Sequence, residues 1–162
     1  MEKTLFKLDF FCSSLGIDYI ITGTTALYLN GFPMPSKPKD IDILVTNDLT
    51  PEQIEAIKMQ EFISGLEKVN YPNYKVWVFS IDNVKINIIV SDFSKEDLIK
   101  SSNSILLNYA EKDHKFLVRV QKVKPALEDK MFLARDKDRD REFMLDVFYE
   151  LVFISKCKCS MI

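Results

Sequence analysis

Two aspartates separated by one isoleucine, Asp40 and Asp42, open the apolar run Asp40-Ile41-Asp42-Ile43-Leu44-Val45. Successive side chains of a strand point to opposite faces, so these carboxylates leave the same face and can converge on one cation, as a divalent metal handling phosphates requires. Upstream, Gly23-Thr24-Thr25 stands between an apolar stretch and a helix-like segment. Amides and hydroxyls at the start of a helix stabilise phosphate through unpaired donors and the helix dipole. Lys37 and Lys39 border the carboxylates, where they can meet an incoming phosphate or offset the aspartate charge. Lys130 shares a helical face with Leu127 and Met131, so its ammonium either snorkels to water or faces such a phosphate site.

Other chemistries lack their parts. The four glycines, Gly16, Gly23, Gly31 and Gly65, have neither dinucleotide-turn nor P-loop spacing. The one histidine, His114, lies in a polar stretch read as a turn, with no second ligand at zinc spacing and no nucleophile elbow. Catalysis would therefore fall to carboxylates, lysines and backbone amides. A net charge of −2 gives no bulk attraction to nucleic-acid backbones. The stretch from Lys122 to Arg141 mixes both signs and reads as a salt-bridged helix face. Three cysteines, two of them close together at Cys157 and Cys159, fit a reducing compartment. The first residues lack a signal layout and no apolar run approaches a membrane span, so the expected setting is cytoplasmic with no membrane partner.

These residues need elements to position them. A content of 47% hydrophobic residues supports a packed core, and without a linker or repeat residues 1–162 read as a single domain. Leu5, Leu8, Cys12 and Leu15 recur at helical spacing before Gly16; a strand follows over 18–22, then a short helix over 24–30 that Gly31 and the prolines at 33, 35 and 38 end. Thr50-Pro51-Glu52-Gln53 carries a helix start, and Ile54, Ile57, Ile63 and Leu66 are expected to continue that helix. Segments 75–80 and 84–90 flank a hairpin turn at Ile81-Asp82-Asn83, with Lys85, Asn87 and Ile89 on one face of the second arm. A short helix capped by Ser94 and strands over 105–109 and 116–120 follow. Two helices are expected to close the chain, one from Pro125 and one from about Asp138 with Met144, Val147, Phe148 and Leu151 on its apolar face. The fold class is α/β (or α+β) with a mixed sheet.

From Tyr19 to Val45 the order Tyr-Ile-Ile-Thr-Gly-Thr-Thr-Ala-Leu-Tyr-Leu-Asn-Gly, then Asp-Ile-Asp-Ile-Leu-Val, resembles the opening of the nucleotidyltransferase superfamily, the DNA polymerase β-like fold. There a hydrophobic strand, a Gly-Gly or Gly-Ser turn, a short helix and Asp-h-Asp, with h hydrophobic, build the active site. Within it the chain looks most like small bacterial AbiEii-like proteins, a group with toxin-antitoxin associations. Their later lysine and helical KD..D segment resemble Lys130 and Lys137-Asp138-Arg139-Asp140. The resemblance implies a nucleotidyltransferase-like mixed sheet flanked by helices and metal-dependent transfer of an NMP from an NTP to a hydroxyl of RNA, protein or a small molecule. It implies Mg²⁺ or Mn²⁺ on Asp40 and Asp42, the nucleotide against Gly23, Thr24, Thr25 and Lys39, and Lys130 on developing charge. The family's third carboxylate falls at Asn87, which can offer a carbonyl to a metal but cannot take a proton or neutralise charge. Asp92 is the nearest substitute in sequence. The alternative is a nucleotide-binding or partner-binding module of the same fold without turnover.

Overall fold

Strands that alternate apolar and polar residues sort their side chains to two faces, and this chain uses that rule to make one face core and the other a polar row. The computed structural model describes residues 1–34, 37–72 and 74–132, with side chains through 128. The elements run α1 (Glu2–Ser14), β1 (Tyr19–Thr22), α2 (Gly23–Leu29), β2 (Asp40–Val45), α3 (Pro51–Lys58), β3 (Ile63–Asn70) and β4 (Lys75–Ile81). After them come β5 (Val84–Val90), α4 (Lys95–Lys100), β6 (Ser102–Tyr109), β7 (His114–Gln121) and α5 (Val123–Phe132). Seven strands form one mixed sheet in the order β3-β4-β5-β2-β1-β7-β6, with β2 in the middle. It pairs antiparallel with β1 and parallel with β5.

Ile41, Ile43 and Val45 of β2 join Phe79, Ile86 and Ile88 in the main core, against Leu5, Leu8, Phe11 and Cys12 of α1 and Ile57 of α3. A second cluster of Leu27, Phe32, Val123, Ala126 and Leu127 fastens α2 to α5. Side chains such as these contribute about 1.5–3 kcal/mol each when fully buried, so α1 and α3 are anchored to the sheet and α5 to α2. Among the described residues no helix is long and apolar enough to cross a membrane.

Local chemistry explains most boundaries. Thr50 accepts from the Gln53 amide while Gln53 returns a bond to the Thr50 amide, a complete capping box with Pro51 in the first turn. Ser94 caps α4 through the Asp97 amide. The hairpin turn is the two-residue Asp82-Asn83, with φ of 48° and 68°, the type I′ geometry that matches strand twist.

Three expectations are corrected. The helix begun at Thr50 stops at Lys58 because Gln60 and Glu61 carry no apolar stripe onward, and Ile63 and Leu66 belong to β3. A register shift between Ser64 and Glu67 breaks the two-residue alternation, so Ile63, Leu66 and Val69 fall three apart and imitate a helix. His114 is the first residue of β7, its ring 5.1 Å from that of Phe6; the turn is made by Ala110–Lys112 and by Asp113 at φ 47°. The helix expected from Pro125 begins at Val123, because proline is tolerated in a first turn. The expected last helix from about Asp138 and the Lys137-Asp138-Arg139-Asp140 segment lie outside the described residues.

Candidate functional site

Asp40 and Asp42 occupy the first and third positions of β2, and both are half-buried on the face opposite the core residues Ile41 and Ile43. The pairing register continues their face sideways. Asp42 lies opposite Thr22 of β1 and beside Asn87 of β5, and Asp40 lies beside Lys85. Thr22 in turn donates to Gln121 of β7, which pairs with Ser102 of β6, so one polar row crosses five strands. Asp42 stands in it between Asn87 and Thr22.

Two contacts fix Asp42. Asn87 Nδ2 donates to its Oδ1 at 2.6 Å. On the other side Gly23 packs so closely that a Cβ there would lie 2.7 Å from Oδ2, and Gly23 holds φ at 64°, a region where only glycine is unstrained. The glycine that opens α2 is therefore required twice, by backbone and by the carboxylate behind it.

The threonines after it divide. Thr25 is 1% exposed and its hydroxyl donates to the Asp40 carbonyl at 2.7 Å, tying the start of α2 to the start of β2; the hydroxyl expected at a phosphate is engaged inside the fold. Thr24 is half-buried and makes no side-chain hydrogen bond among the described residues, so its hydroxyl and the adjoining amides are the groups at hand for an anion. Lys39 is exposed directly before Asp40. Lys130 lies in α5, whose neighbour is α2, while its side chain is outside the described set.

Asp92 is not brought to the carboxylates. β5 runs parallel to β2, with Asn87 level with Asp42 and Val90 level with Val45, so the strand ends about 10 Å past Asn87 and Asp92 follows beyond that end. Lys85 is the residue that sequence reasoning passed over: its face was legible, but its place beside Asp40 depends on the parallel pairing of two strands separated by three other elements.

Two carboxylates on one face fit a single divalent cation, because Mg²⁺ is usually held by one or two carboxylates with water and substrate phosphates completing its shell. Among the described residues no group of three His, Cys, Asp or Glu side chains comes together. Other reactive-looking groups serve the core. Burial, reinforced by Asp9, pushes the Cys12 thiol and the Tyr19 phenol far up, so both stay protonated and neither is a nucleophile. Burial raises the Asp48 carboxyl, but bonds from Trp77 Nε1 at 2.7 Å and the Leu49 amide, with the charge of Lys68, outweigh it and hold the group below the usual range. That cluster pins Trp77 to the loop after β2.

No protein-family model and no curated protein sequence matches the chain. Solved structures do. A Thermotoga maritima protein, TM1012, assigned to the nucleotidyltransferases, superposes with a TM-score of 0.57 at 18% identity, over 86% of this chain and 89% of that one. The antibiotic-resistance factor ANT(2″)-Ia, in complex with adenylyl-2″-tobramycin, gives 0.58 at 14% identity, over 93% of this chain and 88% of that one. Its solution structure gives 0.56 at 15%, over 95% and 83%. At such identities the likeness establishes the nucleotidyltransferase fold. The AbiEii-like subgroup suggested by the sequence has no counterpart among these three.

Proposed function

We propose that the chain is a metal-dependent nucleotidyltransferase, moving a nucleoside monophosphate from an NTP to a hydroxyl acceptor. The observation that carries this is the placement of Asp40 and Asp42 on one face of the middle strand, with Asp42 set against Gly23 at the start of α2. Asp40 and Asp42 are the residues that would hold Mg²⁺ or Mn²⁺, and such an ion, when bound, supplies Lewis-acid neutralisation of a triphosphate. The amides of Gly23 and Thr24 and the Thr24 hydroxyl offer donors to the β and γ phosphates. Lys39 and Lys130 bring positive charge from the strand entry and from α5. In the transfer the acceptor oxygen forms a bond to the α-phosphorus as the bond from that phosphorus to the β-bridging oxygen breaks; the acceptor proton passes to water and pyrophosphate leaves. The acceptor class is RNA, protein or a small molecule.

A second reading draws on Asn87. An amide donating to Asp42 cannot act as a base, and a positioned base contributes about 10²–10⁴ in rate, so a module that binds nucleotide without turning it over fits the same fold. The experiment incubates the protein with each α-labelled NTP, Mg²⁺ and cell extract, following pyrophosphate and label on macromolecules and small molecules. Transfer lost in Asp40→Asn and Asp42→Asn supports the enzyme; metal-dependent binding without pyrophosphate supports the module. Transfer unaffected by either substitution refutes both.

A further inference from the structure

We propose that Lys85 is a phosphate-binding residue of this site, its ammonium carrying the charge for which a third carboxylate would recruit a second divalent ion. The inference rests on the reading of Asp40 and Asp42 as a triphosphate site and goes beyond it by assigning one metal and one ammonium.

Four observations support it. The parallel register sets Lys85 beside Asp40 as it sets Asn87 beside Asp42, neighbours about 4.8 Å apart in backbone. Lys85 and Asn87 are two apart in β5, so both share the face of the carboxylate pair. Lys85 is exposed and forms no ion pair among the described residues, although Asp40 is its strand neighbour; Lys7, Lys58, Lys68, Lys75, Lys95 and Lys100 each reach a carboxylate. Its base is held firmly all the same, two residues after the Asp82-Asn83 turn whose Asp82 is paired with Lys7 of α1.

Charge completes the argument. Asn87 directs Nδ2, a donor, at Asp42, which leaves two formal negative charges where a second cation would need further anionic ligands. A lysine ammonium is a compact charge with three donors that suits phosphate oxygens and needs no such ligands. Residues Lys85 and Asn87 then act as a matched substitution: the amide withdraws a site for the second ion and the ammonium supplies its charge.

The bland alternative is that Lys85 merely offsets the charge of Asp40. The two accounts differ in sign. Calorimetry on the full chain would titrate Mn²⁺ alone, then the α,β-methylene triphosphates of all four bases with Mn²⁺, which bind without transfer. Lys85→Met should take Mn²⁺ alone at least as tightly as the native chain, since a neighbouring positive charge is gone, yet bind the analogue about tenfold more weakly for want of a charge-assisted bond. Lys85→Arg should restore most of that loss. The double variant Lys85→Met, Asn87→Asp should take two Mn²⁺ per chain with the analogue where the native chain takes one. Urea midpoints near the native value would show that each variant folds. Analogue binding that Lys85→Met leaves unchanged or tightens, or two Mn²⁺ in the native chain, overturns the role of Lys85 alone. No metal-dependent analogue binding in the native chain overturns the triphosphate site, and the role of Lys85 with it.

Discussion

Replacing Gly23 by alanine perturbs the backbone and the carboxylate together, and Gly16 separates the two effects. At φ 64° an alanine costs about 1–2 kcal/mol in backbone strain. The added methyl carbon would also lie 2.7 Å from Asp42 Oδ2, while Oδ1 is held by Asn87 at 2.6 Å, so the carboxylate can retreat only by giving up that bond. A hydrogen bond to a charged group contributes about 1.5–3 kcal/mol, which brings the total for Gly23→Ala to about 2.5–5 kcal/mol. Gly16 has φ 68° and open space within 4 Å of the point an added methyl would occupy, so Gly16→Ala carries the backbone part alone, about 1–2 kcal/mol. Urea unfolding followed by the fluorescence of the lone tryptophan, Trp77, measures both; with slopes of about 1–3 kcal/mol per molar, Gly23→Ala should unfold at a midpoint roughly 1–2 M below Gly16→Ala. Mn²⁺ binding should be lost in Gly23→Ala and kept in Gly16→Ala. Equal midpoints and equal metal affinity in the two variants would refute the reasoning.

Further consequences follow from single contacts. Asn87→Asp sets two carboxylates face to face where an amide now donates, so the metal-free variant should melt below the native chain and gain more from Mn²⁺ than the native chain does, with tighter Mg²⁺ binding; a thermal-shift series in chelator and in MnCl₂ checks this. Asp48 has a folded-state pKa held below its ordinary value of about 3.9, so its stabilisation is full above that pH and fades as pH falls from about 4 through the folded value. Asp48→Asn should be less stable at pH 7 and lose less of its stability on acidification, as read from urea midpoints at pH 7 and pH 3. Thr50→Ala removes the capping box of α3 and should cost about 1 kcal/mol with no change in Mn²⁺ affinity, measured by urea unfolding and calorimetry.

Much of the site was legible because its signals are local. Asp40 and Asp42 share a face by strand alternation, Gly23 marks a sharp entry to a helix, and the apolar run from Ile41 to Val45 marks a buried strand; the fold puts that strand at the centre of the sheet. The helix caps at Thr50 and Ser94 are readable from a few residues for the same reason. What escaped depends on pairing between distant segments. Nothing near Lys85 announces Asp40 as its neighbour, and nothing near Asp92 reveals that parallel pairing carries it away from Asp42. β3 reads as helix because its bulge replaces the strand period with a spacing close to that of a helix. The hydroxyl of Thr25 has the look of a phosphate donor in sequence, and only the fold brings the Asp40 carbonyl to it.

The central claim is that Asp40 and Asp42 hold a divalent cation together with a nucleoside triphosphate. Calorimetric titration of the native chain, Asp40→Asn and Asp42→Asn with each NTP in Mg²⁺ and in chelator tests it most directly. Binding by the native chain should disappear in chelator and in both variants, with circular dichroism unchanged. Nucleotide binding that is indifferent to metal, or retained at native affinity in both variants, would contradict it.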